Sequence, residues 1–135
     1  MRLRKIFENN ETEKNDIRNI EDDTENNDYF RKVLFTSENM QLVVMSLKPD
    51  EEIGEEVHND TDQFFRIESG NGYVVLDGKS IPIGDGDTII VTKGTRHNIK
   101  NSSHDKYLKL YTIYSPPHHK PGTINKENPD GLQKE

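Results

Sequence analysis

In the stretch GEEVHNDTDQFFRIESGNG, residues 54–72, an imidazole, several carboxylates and an amide stand at short intervals ahead of an apolar strand pattern. Side chains of an extended chain alternate, so residues two apart share a face. Glu56 and His58 therefore point the same way. Beyond the turn NDTD, Gln63 shares a face with Phe65 and Ile67, while Arg66 and Glu68 point to the other. If Phe65 and Ile67 face an interior, Gln63 faces it too, and a hairpin through the turn sets it opposite Glu56 and His58. A second histidine in a strand-like setting, His97, follows the tight turn KGTR and alternates with Ile99. If these side chains converge, Glu56, His58, Gln63 and His97 form a metal site. If they do not, they are polar residues around a solvated turn. Imidazole and carboxylate donors without sulfur suit Mn, Fe, Ni or Zn. Gln63, a neutral amide, is the weakest of the four: either a ligand or a hydrogen-bond partner of a ligand water.

The elements around these residues read as β. MQLVVMSL (40–47) and QFFRIES (63–69) are strands, and GYVVLDGKSIPI (72–83) is a hairpin turning at Asp77–Gly78. An Asp-Gly pair supplies the positive φ angles of a tight hairpin turn. After the turn GDGD come TIIVT (88–92), HNIKN (97–101) and YLKLYTIY (107–114). Short strands at close, regular intervals signal a sandwich or barrel. Phe65, Ile67, Val75, Ile90 and Ile99 are the expected core. The last strand is apolar on both faces, with Leu108 and Leu110 on one and Tyr107, Tyr111 and Ile113 on the other. An antiparallel sheet normally leaves one face to solvent, so a second subunit or the N-terminal segment is expected to cover the outer one.

Composition sets the limits. The 135 residues are 30% apolar, and all but eight of the apolar residues lie between Tyr29 and Tyr114. This gives a polar arm at 1–28, one compact domain at 29–114 and a polar tail at 115–135. Residues 8–28 are rich in Asn, Asp and Glu and cannot bury enough surface to offset their ordering. They read as a mobile arm, or as one that docks Ile17 and Ile20 on a partner or across its own barrel. Residues 8–28 and 120–135 are expected to be largely without regular structure. A net charge of −7 argues against a nucleic-acid partner, whose phosphates demand a basic stripe, and against an anionic membrane surface. No apolar run is long enough to span a bilayer, and the first residues lack the apolar stretch of a signal peptide. The expectation is a cytoplasmic protein. The absence of cysteine fits that compartment and excludes thiolate ligands and nucleophiles.

Residues 54–72 resemble the first cupin motif: two histidines one residue apart, four residues, an acid, six residues and a glycine. Here the positions hold Glu56, His58, Gln63 and Gly70. Residues 86–101 resemble the second, with Gly86, Thr92, Gly94, His97 and Asn101 at its spacing. The departures are Glu56 for the first histidine, Gln63 for the acid and Thr92 for the proline. The first two compensate, leaving two imidazoles, one carboxylate and a fourth donor. The resemblance covers residues 40–114 and implies an all-β, double-stranded β-helix (jelly-roll) cupin barrel, often dimeric, with a metal or small ligand inside.

The DQFFRIE run and the LYTIYSPPHH ending resemble small cupins of the mannose-6-phosphate isomerase-like group. That kinship implies a metal-dependent isomerase acting on a small sugar or sugar phosphate; a carboxylate or histidine would be its base, and Glu56 is the candidate if it is not a firm ligand. The alternatives are a non-haem iron dioxygenase and a non-catalytic ligand-binding cupin. A phosphate ligand requires an inward cation. Arg66 is out of phase, and Arg96 and Lys93 stand only at the rim. His104 reads as solvated. His118 and His119 follow the stiff Pro116–Pro117 pair and read as surface residues, or as a tail that brings an acid/base group over the barrel mouth.

Overall fold

The computed structural model describes residues 14–130. Eight strands alternate through the domain, and a short ninth follows in the tail: β1 (Arg31–Thr36), β2 (Gln41–Leu47), β3 (Asp62–Ser69), β4 (Asn71–Leu76), β5 (Lys79–Gly84), β6 (Thr88–Val91), β7 (His97–Asn101), β8 (Leu108–Ser115) and β9 (Ile124–Asn125). They form a six-stranded sheet in the order β6-β3-β8-β2-β1-β9 and a three-stranded sheet in the order β5-β4-β7. Every strand pairing is antiparallel. The inner faces of the two sheets share one core, with Val43, Met45, Phe65, Ile67, Leu108 and Leu110 from the larger and Val74, Ile83 and Ile99 from the smaller. This is the jelly-roll arrangement that the strand pattern implies. Among the described residues, no helix is long and apolar enough to cross a membrane.

The local rules that set the strands are visible in the turns. Asp77 and Gly78 both take positive φ, 48° and 85°, as a two-residue hairpin turn requires. Between β3 and β4 the chain passes from the six-stranded to the three-stranded sheet at Gly70, at φ 99°. A Cβ on Gly70 would lie 2.6 Å from the Tyr107 carbonyl oxygen, so glycine serves both conformation and space. Asn101 closes β7. Its buried amide donates to the carbonyls of Leu47, Lys48 and Lys106 and accepts from the Ser103 amide, fixing the loops around it.

Two strands differ from the expected phase. Val74, not Val75, is buried, and Ile89, not Ile90, faces the core; Ile90 is 70% exposed. Both strands carry adjacent apolar residues, Val74–Val75 and Ile89–Ile90, so alternation alone does not fix which one is inside. The segment RKVLFT, not anticipated as a strand, is β1.

The N-terminal segment also differs from expectation where it is described. Residues 20–25 form a helix, α1 (Ile20–Glu25), capped by the Asn19 side chain on the Asp22 amide and opened by three acids that favour its N-terminal dipole. It packs on β2, β3 and β8 and buries Thr24 completely. Arg18 anchors the approach through Asp16 and Asp23 at 2.6 and 3.0 Å. The outer residues of β8, Lys109, Tyr111 and Ile113, are accordingly half-buried. Residues 8–13 of the expected arm, and 131–135 of the tail, lie outside the described residues.

Candidate metal centre

Glu56 and His97 are brought together by the backbone. They form an isolated antiparallel bridge, exchanging both amide–carbonyl bonds at 2.9 Å. Directly opposed residues of an antiparallel pair point to the same side, so both side chains enter the barrel. His58, two residues beyond Glu56, shares that side, and its carbonyl accepts from the Gly94 amide at 2.7 Å, tying the loop before His97 to the loop before β3. Carboxylate and imidazole donor atoms of Glu56, His58 and His97 all lie within 4.8 Å of one another. Two atoms bound to one ion at about 2.0–2.3 Å stand at most about 4.6 Å apart, so the separations within this group are of the order that a single ion spans.

Gln63 arrives by a different route from the one expected. It does not face Glu56 and His58 across a hairpin. It pairs with Tyr114 and Val91 in the six-stranded sheet, while Glu56 bridges to the three-stranded sheet. The turn NDTD crosses from one sheet to the other. Gln63 is 2% exposed, and its Nε2 donates to Thr112 Oγ1 at 2.9 Å, which commits the amide nitrogen and leaves Oε1 free.

The tautomer of His97 is fixed by its surroundings. Its Nδ1 stands 2.9 Å from the Thr95 carbonyl oxygen, an atom that only accepts, so Nδ1 carries the proton and Nε2 presents a lone pair. Buried imidazoles oriented this way are typical metal ligands. Among the described residues, the buried side-chain polar atoms without a hydrogen-bond partner are His58 Nε2, His97 Nε2, Gln63 Oε1 and Arg31 Nε. Buried polar atoms left without a partner are costly, and three of these four, two imidazole nitrogens and an amide oxygen, are atom types that bind a cation. His58 Nε2 lies 3.3 Å from Glu56 Oε1, within ion-pair range but not aligned for a hydrogen bond. Burial raises the proton affinity of Glu56, but His58 beside it, with Arg31 and His97, outweighs that and holds the carboxyl below its ordinary value.

The tail closes one side of the site. Gln41, fully buried, accepts from the amides of His118 and His119 at 3.1 and 2.9 Å and donates to the His119 carbonyl at 2.7 Å. This clamp brings the His118 ring to 4.3 Å from His58, centroid to centroid, and stacks it on Tyr114 at 5.3 Å. His119 Nε2 is 3.2 Å from the Tyr114 hydroxyl. His118, which is exposed, and the half-buried His119 thus pack beside the site, because a buried glutamine on β2 holds their backbone. Burial lowers the proton affinity of both; His58 adds to the effect on His118, and Arg31 adds to that on His119, which falls to about 4. Burial also pushes the Tyr114 phenol up, and Glu56 reinforces this, so the hydroxyl keeps its proton.

Of the other singled-out residues, Arg66 faces outward and pairs with Glu68. Arg96 is at the rim, 3.8 Å from Glu55. His104 is exposed and contacts Asp50 at 2.8 Å. Arg31 was not anticipated. It lies on β1 opposite Met45, on the same face as the core residue Val33, and is 8% exposed. The alternation of RKVLF carried the signal: an arginine in phase with Val33 points inward.

Residues 43–114 match the cupin domain family model, Cupin_2. The chain is 47% identical over 115 residues to the uncharacterized protein L612 of Acanthamoeba polyphaga mimivirus, a match covering 82% of this chain and 71% of that protein. It is 40% identical over 124 residues to the uncharacterized protein YrkC of Bacillus subtilis, covering 87% and 66%. Among solved structures, BH2720 of Bacillus halodurans superposes with a TM-score of 0.82 at 36% identity, covering 87% of this chain and 93% of that one.

Proposed function

The chain belongs to the cupin domain family, and from that premise we propose that its barrel holds one divalent transition metal on Glu56, His58 and His97, with Gln63 as a weak fourth donor, to act on a small polar metabolite. The observation that carries this reading is the set of three buried polar atoms without a hydrogen-bond partner, His58 Nε2, His97 Nε2 and Gln63 Oε1, beside a carboxylate within ligand distance. A metal bound there supplies Lewis-acid polarisation of a carbonyl or hydroxyl oxygen. His58 and its neighbours hold Glu56, the carboxylate of this group, below its ordinary proton affinity, and it would accept a substrate proton where the metal does not hold it firmly. His97 is kept in one tautomer by Thr95. Tyr114 keeps its proton and can donate a hydrogen bond. His118 and Tyr114 pack against His58 on the tail side.

The activity we assign is isomerisation of a sugar or sugar phosphate, in the manner of a mannose-6-phosphate isomerase-like cupin, by a homodimer. A second reading, a non-haem iron dioxygenase, is favoured by the donor set itself: two imidazoles and one carboxylate leave coordination positions for substrate and O2. The test is to load the protein with Mn or Fe and offer a panel of aldoses, ketoses and their phosphates, following products by NMR and oxygen by electrode. Aldose–ketose conversion without oxygen uptake is the expected result. Oxygen consumption would replace it with the dioxygenase, and absence of turnover with every metal would leave a ligand-binding cupin.

A further inference from the structure

Arg31 is the fourth of the orphaned buried atoms, and its chemistry is opposite to that of the other three. His97 Nε2 and Gln63 Oε1 present acceptors, and His58 Nε2 presents a third when unprotonated, which a cation satisfies. Arg31 Nε is a donor on a side chain that stays charged at every physiological pH. Among the described residues, its side chain makes one hydrogen bond, from Nη1 to Asn125 Oδ1 at 2.8 Å, across the β1–β9 pair that joins these two residues directly. That partner is neutral. Among the described residues no carboxylate is within ion-pair range of Arg31. A buried charge without a counter-ion is strongly unfavourable, yet the tail is built to hold this one in place. Phe30, 5.0 Å from the guanidinium carbon, supports it from the side.

The location is the barrel interior. Arg31 opposes the core residue Met45, and its charge acts on Glu56, Tyr114, His118 and His119, the groups around the metal centre. With Glu56 engaged by a metal, no carboxylate remains there to balance the arginine. Asn125 fixes the guanidinium through Nη1 and leaves the Nε side for a partner. An arginine edge donates in parallel to two oxygens of one carboxylate or phosphate.

We propose that Arg31 is the anchor for an anionic group, carboxylate or phosphate, on the small molecule that the Glu56–His58–His97 centre binds. The inference rests on the proposed metal site for what the rest of the ligand touches, but not for the anion contact itself. The ligand class is a small hydroxy- or oxo-compound with one acidic group: the acid meets Arg31, and a hydroxyl or carbonyl oxygen faces the metal centre. This is the inward cation that the rim residues Lys93 and Arg96 do not supply.

The test uses metal-free protein, titrated calorimetrically at low ionic strength with inorganic phosphate and with glycolate. The parent is expected to bind one equivalent of at least one of them, and the stronger of the two separates phosphate from carboxylate specificity. Arg31→Gln should weaken it at least tenfold, as for loss of a charge-assisted bond. Arg31→Lys, which keeps charge but not the fork, should fall between. A readout that requires no stable variant is the Arg31 Nε–Hε resonance of the parent, which should move saturably with the anion. Unchanged affinity in Arg31→Gln, no saturable binding of either anion, or an unmoved Nε–Hε resonance would overturn the proposal. His97→Ala distinguishes the two readings: it should lose metal and keep the anion. Were it to bind metal like the parent, the metal reading would fail while the anion titration still decided Arg31.

Discussion

His97 shows how a single side chain is prepared for a ligand. Its backbone is locked to Glu56, its ring proton is committed to Thr95, and its second nitrogen is buried without a partner. The donors of the site should therefore differ in weight. His58→Ala or His97→Ala is expected to abolish metal binding, because an imidazole is a strong neutral donor. Glu56→Ala should weaken it severely, Gln63→Ala should leave most of it, and Gln63→Glu should bind at least as tightly as the parent by adding a carboxylate. Calorimetric titration with Mn and Zn measures the series, and thermal melts without metal should show all five variants folded. His119 provides a pH signature. Burial and Arg31 hold its value at about 4 against an ordinary 6.5, so the unfolded chain takes up a proton that the folded chain refuses. Its contribution is present in full above pH 6.5 and is lost as pH falls from 6.5 toward 4. The melting temperature should drop across that window, and by less in His119→Gln. The convergence of Glu56, His58 and His97 was legible in the sequence because their spacing matches two motifs at once. Arg31 was not, because one arginine in RKVLF resembles a solvated strand end until its phase with Val33 is known.

At the scale of elements, the site depends on which sheet each segment joins. Glu56 bridges to β7, Gln63 belongs to β3, and the tail spans from β8 to β1. The sequence shows strands and turns, since alternation and turn residues are local, but not the crossing between sheets, which is a matter of long-range pairing. For the same reason the phases of β4 and β6 were misread: VV and II satisfy either register, and only the opposing sheet decides. Close approach between β4 and β7 gives a direct check on the pairing. A Cβ on Gly72 would overlap the Lys100 carbonyl, backbone that cannot swing aside. Gly72→Ala should destabilise the fold by about 2–3 kcal/mol, measured by urea unfolding. A neutral outcome would mean that β7 does not lie there.

The whole molecule presents an outer face that is more apolar than a solvated sheet requires. Ile90 on edge strand β6 is 70% exposed. At the other end of this sheet, a cavity of about 340 Å³ opens among Phe35, Met40, Leu42 and Ile113 beside residues 14–16. The segment from Arg18 through α1 covers part of this face, as one reading of the sequence had it, and a second copy of the chain is the expected cover for the rest. Light scattering should give twice 15.6 kDa, and Ile90→Glu should shift the protein toward monomer if β6 lies in the contact. The jelly roll was legible from turn spacing and motif spacing together. Helix α1 was not, because IEDDTE has no apolar stripe and is held by its Asn19 cap and by Thr24 against the sheet.

The central claim is that the barrel holds a transition metal on Glu56, His58 and His97. Metal analysis of protein purified without an affinity tag, compared with His97→Ala prepared in the same way, tests it most directly. About one equivalent of Mn, Fe, Ni or Zn per chain in the parent, and a loss of nearly all of it in the variant, is the predicted result. A parent that remains metal-free even after incubation with each of these ions, or a variant that retains the same metal content, would contradict it.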